Sequence, residues 1–349
     1  MDERVRGIID RALDGGQPSI DEAVYLLNLD PAGPDAAWVR AAANNITRER
    51  CGNAGAIFGQ IGIDVYPCEA DCQFCSFGRS HTGFTTHETL DMPTIERKAL
   101  EFAGSGDLCG MWLMTMASFD RDYYLEVVRR VREIIPESTR LYTNIGDVDQ
   151  GYLEQLKDAG IYGCYHVIRL GEGVVTKIDP QVRERTIAAI REVGLHLQDC
   201  CEPIGPEHTA EEIAAHLFKT VEKGCVESGV MSRTSVPGTI FEGPGIPLMK
   251  LLLVLAVNTF VMLGVEGVPL MSFNPVTPLG LVSGGNRVCA ETGVNPRDTA
   301  ADTSSSCGIG LDMNACRKML YDAGFSKIMR GDGTTIDLTY DYLKELGAC

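Results

Sequence analysis

Apolar and polar positions along the chain repeat as one unit: an amphipathic stretch with helical spacing, then a glycine, then a short apolar run with β propensity. Copies of this unit surround Gly160, Gly194, Gly224 and Gly264, and a weaker copy surrounds Gly104. A glycine at the end of a helix readily adopts the left-handed backbone that closes the last turn. These glycines therefore predict helix ends, and the apolar runs that follow them predict strands.

The alternation of helices and strands indicates parallel strands that are joined by right-handed crossovers. The pattern contains roughly six to eight such units, which is the range of a TIM-type barrel. We therefore predict an α/β protein whose TIM-type (β/α) barrel is complete or nearly complete. A doubly wound open sheet is the structural alternative, but no G-x-G-x-x-G follows the first predicted strand.

The same pattern divides the chain into three parts. Residues 1–50 predict an N-terminal helical extension, residues 51–329 the barrel, and residues 330–349 a C-terminal tail. Within the barrel, residues 286–309 are rich in Asn, Asp, Ser, Thr and Gly and predict a long loop. The apolar run Leu251–Val265 is too short to span a bilayer and predicts a buried helix.

Composition narrows the classes of partner. The chain has 31 Lys and Arg against 48 Asp and Glu, so its formal net charge is −17. That balance argues against a nucleic-acid surface and against docking on anionic lipid, both of which need clustered positive charge. The N-terminus MDERVRGIIDRAL lacks the apolar core of a secretion signal, so we expect a cytoplasmic protein. The 13 cysteines, an odd number in a long chain, then indicate metal binding, catalysis or core packing rather than disulfides.

The strongest motif is Cys68-Glu-Ala-Asp-Cys72-Gln-Phe-Cys75, which follows a first strand predicted over about 56–66. Three thiolates at this spacing can bind three corners of an iron–sulfur cube and leave the fourth iron without a protein ligand. A structural zinc site normally has four ligands in two close pairs, and His81 lies outside such a pair. The spacing thus favours a three-thiolate cluster site with one open position.

This C-x3-C-x2-C motif, with Phe74 before the last cysteine, resembles the signature of the radical S-adenosylmethionine (radical SAM) superfamily. Over roughly residues 46–329 the chain is most similar to the branch that contains biotin synthase, the radical SAM maturase of [FeFe]-hydrogenase and methylornithine synthase. The resemblance implies a [4Fe-4S] cluster on Cys68, Cys72 and Cys75 whose open iron binds S-adenosylmethionine (SAM). One electron would then cleave SAM to methionine and a 5′-deoxyadenosyl radical, which abstracts hydrogen from a substrate.

The resemblance also implies residues that contact SAM. Arg169 and Glu172 match the pair that binds its carboxylate and its amino or ribose groups, although a surface ion pair is the alternative. Asn144 matches a ribose or methionine contact, and Phe74 presents its backbone to the adenine. The chain departs from the family at Ser118, in a stretch that usually carries a Gly-Glu pair. The adenine-side loop is matched only in part, by Ile204 and Gly205.

Substrate residues are expected where predicted strands end, since barrel active sites form at that face. Arg233 is the preferred anchor for a substrate carboxylate or another anion, with a structural salt bridge as the alternative. Tyr66 and Asn274 are further candidates, and Asp199 and Ser272 qualify by position.

Biotin synthase carries a second cluster on three more cysteines and an arginine. Cys109 and Cys200 or Cys201 fall near two of those positions, but Tyr142 stands where a third cysteine is expected, and residues 270–278 lack the arginine. A conventional sulfur-donating cluster is therefore not expected. Another auxiliary cluster would use the late cysteines, whose alternative role is core packing: Cys289, Cys307 and Cys316.

The leading hypothesis is a radical SAM enzyme that acts on a small molecule in a biosynthetic or cofactor-maturation pathway, by rearrangement or fragmentation of a carbon skeleton. The alternative within the class is sulfur insertion with an auxiliary iron–sulfur cluster. Alternatives from other classes are a non-catalytic iron–sulfur electron-transfer protein, which would need a fourth cluster ligand, and a zinc-binding protein. The resemblance further implies a flavodoxin or ferredoxin as electron donor, and a cluster with an open iron implies oxygen sensitivity.

Overall fold

The computed structural model describes residues 1–267, 269–293 and 311–348, and parallel strands form its centre. In chain order the strands are β1 (Ala54–Gly62), β2 (Asp64–Val65), β3 (Glu88–Thr89), β4 (Gly110–Met114), β5 (Arg140–Asn144), β6 (Gly163–Tyr165), β7 (His196–Gln198), β8 (Cys201–Ile204), β9 (Glu227–Ser232), β10 (Leu270–Asn274), β11 (Arg287–Gly293), β12 (Lys327–Met329) and β13 (Thr335–Asp337).

Helices alternate with these strands and surround them. In chain order they are α1 (Glu3–Leu13), α2 (Ile20–Leu27), α3 (Pro34–Arg50), α4 (Met92–Ala103), α5 (Arg121–Ile134), α6 (Gln150–Asp158), α7 (Pro180–Val193), α8 (Ala210–Glu222), α9 (Leu248–Val261), α10 (Pro278–Leu281), α11 (Met313–Asp322) and α12 (Tyr340–Glu345).

Eight parallel strands close into a barrel in the order β1, β4, β5, β6, β7, β9, β10, β11 and back to β1. The short strand β8 continues β7 beyond an irregularity and pairs with β9. This closed barrel with helices outside confirms the predicted TIM-type fold and excludes the open sheet. Among the residues that the structure describes, no helix has the length and apolar character needed to cross a membrane.

Side chains alternate along the barrel strands between two apolar layers. Outward side chains pack against the helices, and inward side chains fill the lower half of the barrel. The inward cluster is rich in aromatic rings, with Phe58 4.6 Å from Trp112 and 5.5 Å from Tyr142 between ring centroids. These rings close the barrel below its mouth, so that any site inside it opens only toward the carboxyl ends of the strands.

The predicted helix-ending glycines are confirmed at three places. Gly160, Gly194 and Gly224 have φ values of 102°, 76° and 75° at or just after the ends of α6, α7 and α8. Gly104 and Gly264 also lie at helix ends, directly after α4 and in the 3-10 turn that follows α9, but neither has the left-handed backbone, and the φ of Gly104 is −63°. In both places the chain makes its left-handed turn later, because other glycines follow within three residues.

The apolar helix α9 is buried on all sides because the N-terminal extension covers its outer face. The helices α2 and α3 pack on α9, and α2 also touches α8. Arg50 at the end of α3 donates hydrogen bonds to the carbonyls of Met262 (3.1 Å), Val265 (2.7 Å) and Gly267 (2.7 Å). The extension therefore forms an outer layer of the barrel and supplies the partner that the uniformly apolar run requires.

Three boundaries differ from the sequence prediction. The first strand ends at Gly62, because the next residues turn away and pair as β2 with β3. The predicted loop 286–309 begins with β11, whose backbone pairs with β1 in seven register positions, so its first residues are barrel wall. The remaining residues 294–310 lie outside the described part. The predicted tail 330–349 contains β13, which pairs with β12, and α12.

Candidate active site at the mouth of the barrel

A cavity of about 240 Å³ opens at the carboxyl ends of the barrel strands. It lies where active sites of TIM-type barrels form. Its wall contains seven residues that the sequence pointed to: Cys75, Asn144, Arg169, Cys200, Ser272, Asn274 and Cys289.

The three-cysteine loop follows β2 and is folded tightly by its own backbone. The N–H of Cys68 donates to the Phe77 carbonyl at 2.7 Å, and the N–H of Cys75 donates to the Cys72 carbonyl at 3.0 Å. His81 Nε2 lies 2.7 Å from the Cys75 carbonyl oxygen. His81 Nδ1 lies 3.1 Å from the Ser80 hydroxyl, so both ring nitrogens have partners within this part of the chain.

A second segment holds the loop against the barrel. The N–H of Gln73 donates to the Val175 carbonyl at 2.9 Å, and the N–H of Lys177 donates to the Ala70 carbonyl at 2.8 Å. The Lys177 ammonium forms an ion pair with Asp71 at 2.7 Å. Because this segment follows directly on Arg169 and Glu172, these contacts bring that predicted pair next to the cysteines.

The thiols of the loop repel one another as anions. Burial raises the pKa of Cys72 to about 12, and Cys75, Glu172 and Cys68 raise it further, while Arg169 acts in the opposite direction. A group that binds these thiols as thiolates must supply positive charge, which the irons of a cluster do. Soft thiolate donors also match iron–sulfur clusters. The donor set thus fits a [4Fe-4S] cluster.

Within residues 1–267, 269–293 and 311–348, no three His, Cys, Asp or Glu side chains converge closely enough to hold one metal ion. This finding concerns a single ion. A cubane cluster takes each thiolate on a different iron.

Arg169 lies at the junction of the cluster loop and the cavity. Its Nε lies 3.0 Å from Glu202 Oε1, and its Nη1 lies 3.8 Å from Glu172 Oε2. Glu172 is held from behind, because it accepts hydrogen bonds from the Arg169 N–H (3.1 Å) and from Thr176 (2.7 Å). Burial opposes the charge of Arg169, but Glu202 and Glu172 outweigh it and raise its pKa. The pair is therefore internal, not a surface ion pair.

The remaining residues predicted to contact SAM surround this junction without all lining the cavity. Asn144 ends β5 and faces the cavity, whereas Phe74 is half-buried within the cluster loop. Ile204 is fully buried at the end of β8, and the N–H of Gly205 donates to His208 Nδ1 at 3.0 Å. Their assignments to SAM stay predictions.

Two of the three predicted substrate residues lie elsewhere. Arg233 is buried in a bidentate ion pair with Glu207, at 2.8 and 3.2 Å, and its guanidinium lies over the ring of Phe241. This geometry favours the structural salt bridge over the substrate anchor for Arg233, because its charge is already matched outside the cavity wall. The hydroxyl of Tyr66 exchanges hydrogen bonds with the backbone of Ser118 and ties two loops together. Asn274 lines the cavity, as does Ser272, which qualified by position.

The candidate auxiliary ligands are separated by the barrel wall. Cys289 on β11 lines the cavity, and burial raises its pKa to about 12. Cys316 on α11 packs in the outer apolar layer, and Cys307 lies outside the described residues. Tyr142, at the position of a missing cysteine, donates a hydrogen bond to Glu227 at 2.5 Å.

Sequence reasoning missed the polar floor of the cavity. Arg287 donates from Nη1 to Glu227 at 2.7 Å and from Nη2 to Ser272 at 2.9 Å. Trp112 donates to Gln198 at 2.6 Å, and Gln198 in turn donates to Glu227. The cavity wall above this floor also contains polar groups that the sequence did not indicate: Gln60, Tyr165, Glu202 and Glu291.

A period of two could have revealed part of this floor. Arg287, Cys289 and Glu291 alternate with Val288 and Ala290, which is the pattern of a strand with one inward face. The surrounding Asn, Gly and Thr residues are typical of a loop, and this composition outweighs the short alternating segment.

No protein-family model matches the chain. It is 25% identical over 248 residues to biotin synthase of Mycobacterium avium (strain 104), which covers 69% of this chain and 71% of that protein. It is 24% identical over 259 residues to biotin synthase of Persephonella marina (strain DSM 14350 / EX-H1), covering 70% and 73%.

Solved structures share the barrel. Methylornithine synthase (PylB) superposes with a TM-score of 0.70 at 17% identity, over 81% of this chain and 85% of that one. The [FeFe]-hydrogenase maturase HydG of Carboxydothermus hydrogenoformans superposes with a TM-score of 0.72 at 14% identity, over 98% and 81%. At these identities the structures show the fold. Together with the sequence relatives they support an enzyme of the radical SAM superfamily, in a biotin synthase-like branch.

Proposed function

We propose that this enzyme cleaves SAM reductively and abstracts hydrogen from a small molecule that it holds in the barrel cavity. One observation supports the proposal most strongly: Cys75 of the cluster loop and Arg169 share the wall of the cavity at the mouth of the barrel. A cluster on the loop would therefore face the same space as the substrate.

The cofactors of this enzyme class are a [4Fe-4S] cluster and SAM. When bound, they supply a 5′-deoxyadenosyl radical that takes a hydrogen atom from the substrate. In our proposal Cys68, Cys72 and Cys75 hold the cluster. Arg169 binds the carboxylate of SAM through the planar fork of its guanidinium, which suits two carboxylate oxygens.

Other residues of this chain orient SAM in the proposal. Glu172 faces the amino or ribose groups and keeps Arg169 in place. Asn144 offers an amide from the end of β5, and the backbone near Phe74 faces the adenine. Asn274, on the opposite wall of the cavity, contacts the substrate.

For the reaction itself we favour rearrangement or fragmentation of a carbon skeleton. The support is that the ligand set of a conventional sulfur-donating cluster is incomplete. Tyr142 stands where a cysteine is expected, and its hydroxyl donates a hydrogen bond to Glu227 at 2.5 Å. The similarity to biotin synthases favours sulfur insertion as the second candidate. A count of iron separates the two, because a second cluster roughly doubles the about four irons of one cubane.

The proposed source of electrons is a small one-electron carrier of the flavodoxin or ferredoxin class. Lys177 is a candidate contact near the cluster loop, since its side chain is 70% exposed.

The test is 5′-deoxyadenosine formation by enzyme that is reconstituted anaerobically with iron and sulfide and then given SAM and dithionite. Wild-type enzyme is expected to form 5′-deoxyadenosine, and Cys72→Ala to form none. Cys225→Ala is the control, because Cys225 is a fully buried cysteine that precedes β9 on another side of the barrel. A cluster-loaded wild-type enzyme that forms no 5′-deoxyadenosine, with or without a cell extract as substrate source, would contradict the proposal.

A further inference from the structure

The floor of the cavity holds an arginine that the proposed SAM site does not use. Arg287 is 1% exposed and begins β11, with its guanidinium over the rings of Phe58 (4.8 Å) and Trp112 (5.0 Å). It lines the cavity together with Trp112 and Ser272. The aromatic faces and the strand hold the charged group in one place.

The hydrogen-bonding capacity of Arg287 is not filled by the residues that the structure describes. Its Nη1 donates to Glu227 at 2.7 Å and its Nη2 donates to Ser272 at 2.9 Å. Its Nε, also buried, has no hydrogen-bond partner among those residues. Buried donors are nearly always satisfied, so the cavity side of Arg287 offers a place for a bound acceptor.

The charged groups around Arg287 also favour an acidic ligand at the cavity floor. Glu227 is 2.7 Å from Arg287 and 3.8 Å from Arg140, so two guanidinium groups share one carboxylate. Glu227 also accepts hydrogen bonds from Tyr142 and Gln198, which use its remaining acceptor positions. Glu227 thus divides its negative charge between two guanidinium groups, of which only Arg287 lines the cavity.

Ser272 completes the arrangement. Its hydroxyl accepts the bond from Arg287 and donates to the Ser228 carbonyl at 3.4 Å, which is long for a hydroxyl donor. An anion at the floor would offer that proton a closer acceptor. The serine hydroxyl and the guanidinium then present two adjacent donors, which matches the two oxygens of a carboxylate.

We infer that the substrate carries a carboxylate, which Arg287 and Ser272 bind at the cavity floor. The inference rests on the proposed function, and it defines how the substrate is oriented in the cavity. With its carboxylate at the floor, the rest of the molecule points toward Cys75 and Arg169 at the mouth. The carboxylate of SAM is a separate group, which Arg169 serves.

The experiment measures binding to reconstituted enzyme that is saturated with SAM, so that Arg169 is occupied. The probes are butanoate, hexanoate and L-norleucine, each compared with its own primary amide, and thermal unfolding midpoints give the dissociation constants. At least one carboxylate is expected to bind wild-type enzyme about tenfold or more tightly than its amide, as for a charge-assisted hydrogen bond. Arg287→Gln is expected to lose this preference.

A second variant covers the case in which Arg287→Gln fails to fold with Glu227 unpaired. The double variant Arg287→Gln with Glu227→Gln removes both charges and keeps the hydrogen-bonding side chains, and it too is expected to show no preference for the carboxylate. Arg317→Gln is the control, because Arg317 is equally buried and pairs with Asp107 outside the cavity wall. It is expected to keep the wild-type preference.

The inference is overturned if wild-type enzyme prefers no carboxylate over its amide, or if the preference survives in the double variant. Loss of the preference in Arg317→Gln as well would overturn it too, since the effect would then be general. The proposed function fails by a different result, because SAM binding is measured first in the same samples. Wild-type enzyme that does not bind SAM contradicts that function directly.

Discussion

Two arginines at the barrel mouth differ in their surroundings because their side chains meet different partners. Arg169 lines the cavity and is 3.0 Å from Glu202, next to the cluster loop. Arg233 stands at the end of a neighbouring strand, but its partner Glu207 neutralises it at 2.8 Å outside the cavity wall. A carboxylate that enters the cavity therefore meets Arg169 and not Arg233.

Replacing Arg169 is expected to weaken SAM binding. Arg169→Gln removes a charge-assisted hydrogen bond, so the dissociation constant for SAM is expected to rise about tenfold or more. Equilibrium dialysis of the reconstituted enzyme measures it. Arg233→Gln is the control: we expect a loss of about 2 kcal/mol in the free energy of unfolding, with SAM affinity within about twofold of wild type. Equal weakening by both variants would contradict the assignment of Arg169.

Residues that act through local spacing were predictable from sequence, and residues that act through distant partners were not. The three cysteines are set by their spacing within one loop, so their chemistry could be predicted without a fold. The partner of Arg233 is 26 positions away, and no local pattern indicates whether its side chain turns into the cavity or toward Glu207. Arg287 was missed because it stands in a segment whose composition is that of a loop.

At the scale of elements, a buried carboxylate fastens helix α8 to the strand pair β7 and β8. Asp199 is 1% exposed and lies 2.9 Å from the ammonium of Lys223 and 3.6 Å from His216 Nε2. Burial opposes ionisation of Asp199, but His216 and Lys223 outweigh it and lower its pKa. A residue that qualified by position as a substrate contact is thus part of the outer wall.

The change Asp199→Asn is expected to lower the free energy of unfolding at pH 7 by about 3–5 kcal/mol, because it leaves Lys223 buried without its partner. A lowered carboxyl pKa stabilises the fold above the ordinary value of 3.8, and this contribution is lost as the pH falls below about 4. Urea unfolding at pH 7 and below pH 4 should show the variant and wild type converging in acid.

Asp158→Asn, at the exposed end of α6, serves as control for Asp199→Asn and is expected to stay within about 0.5 kcal/mol of wild type. A difference between Asp199→Asn and wild type that grows as the pH falls would contradict the ion-pair account.

Close approach of two loops at the mouth requires a glycine. A Cβ at Gly146, after β5, would overlap the carbonyl oxygen of Ala117, after β4. Neither the Cβ nor the carbonyl oxygen can move away by a side-chain rotation. Gly146→Ala is therefore expected to lower the free energy of unfolding by about 1–3 kcal/mol, as overpacking does. Gly7→Ala is the matched control with the opposite sign, because Gly7 lies within α1 with open space around it. It should stabilise by about 0.5–1 kcal/mol, and chemical denaturation measures both.

The helix–strand alternation predicted the barrel because each unit contains its own periodicity and turn signal. Element boundaries were harder to predict, since β1 ends where β2 pairs with β3, whose residues lie 23 and 25 positions further along the chain. The strand β11 likewise depends on its pairing with β1. Such pairings are decided by tertiary neighbours, which override local composition.

At the scale of the whole molecule, the N-terminal extension is part of the barrel's outer layer. Leu26 of α2 is fully buried, whereas Leu13 at the end of α1 is 42% exposed. Residues that precede the barrel therefore cover the outer face of α9 and keep this uniformly apolar helix out of water.

Truncation of Leu26 tests this layer. Leu26→Ala is expected to lower the free energy of unfolding by about 2–5 kcal/mol through lost burial and a cavity. Leu13→Ala, the same change at an exposed site of the extension, is expected to cost less than about 1 kcal/mol. If both variants unfold in urea like wild type, the extension does not stabilise the barrel.

The central claim is a cluster whose three thiolate ligands leave one iron open to SAM. The measurement that tests it most directly is the electron paramagnetic resonance spectrum of the reduced, reconstituted enzyme before and after SAM is added. We predict the signal of a reduced [4Fe-4S] cluster that changes shape with SAM, is absent from Cys72→Ala and is retained in Cys225→Ala. A cluster signal that SAM leaves unchanged, as in an electron-transfer protein with four ligands, would contradict the account.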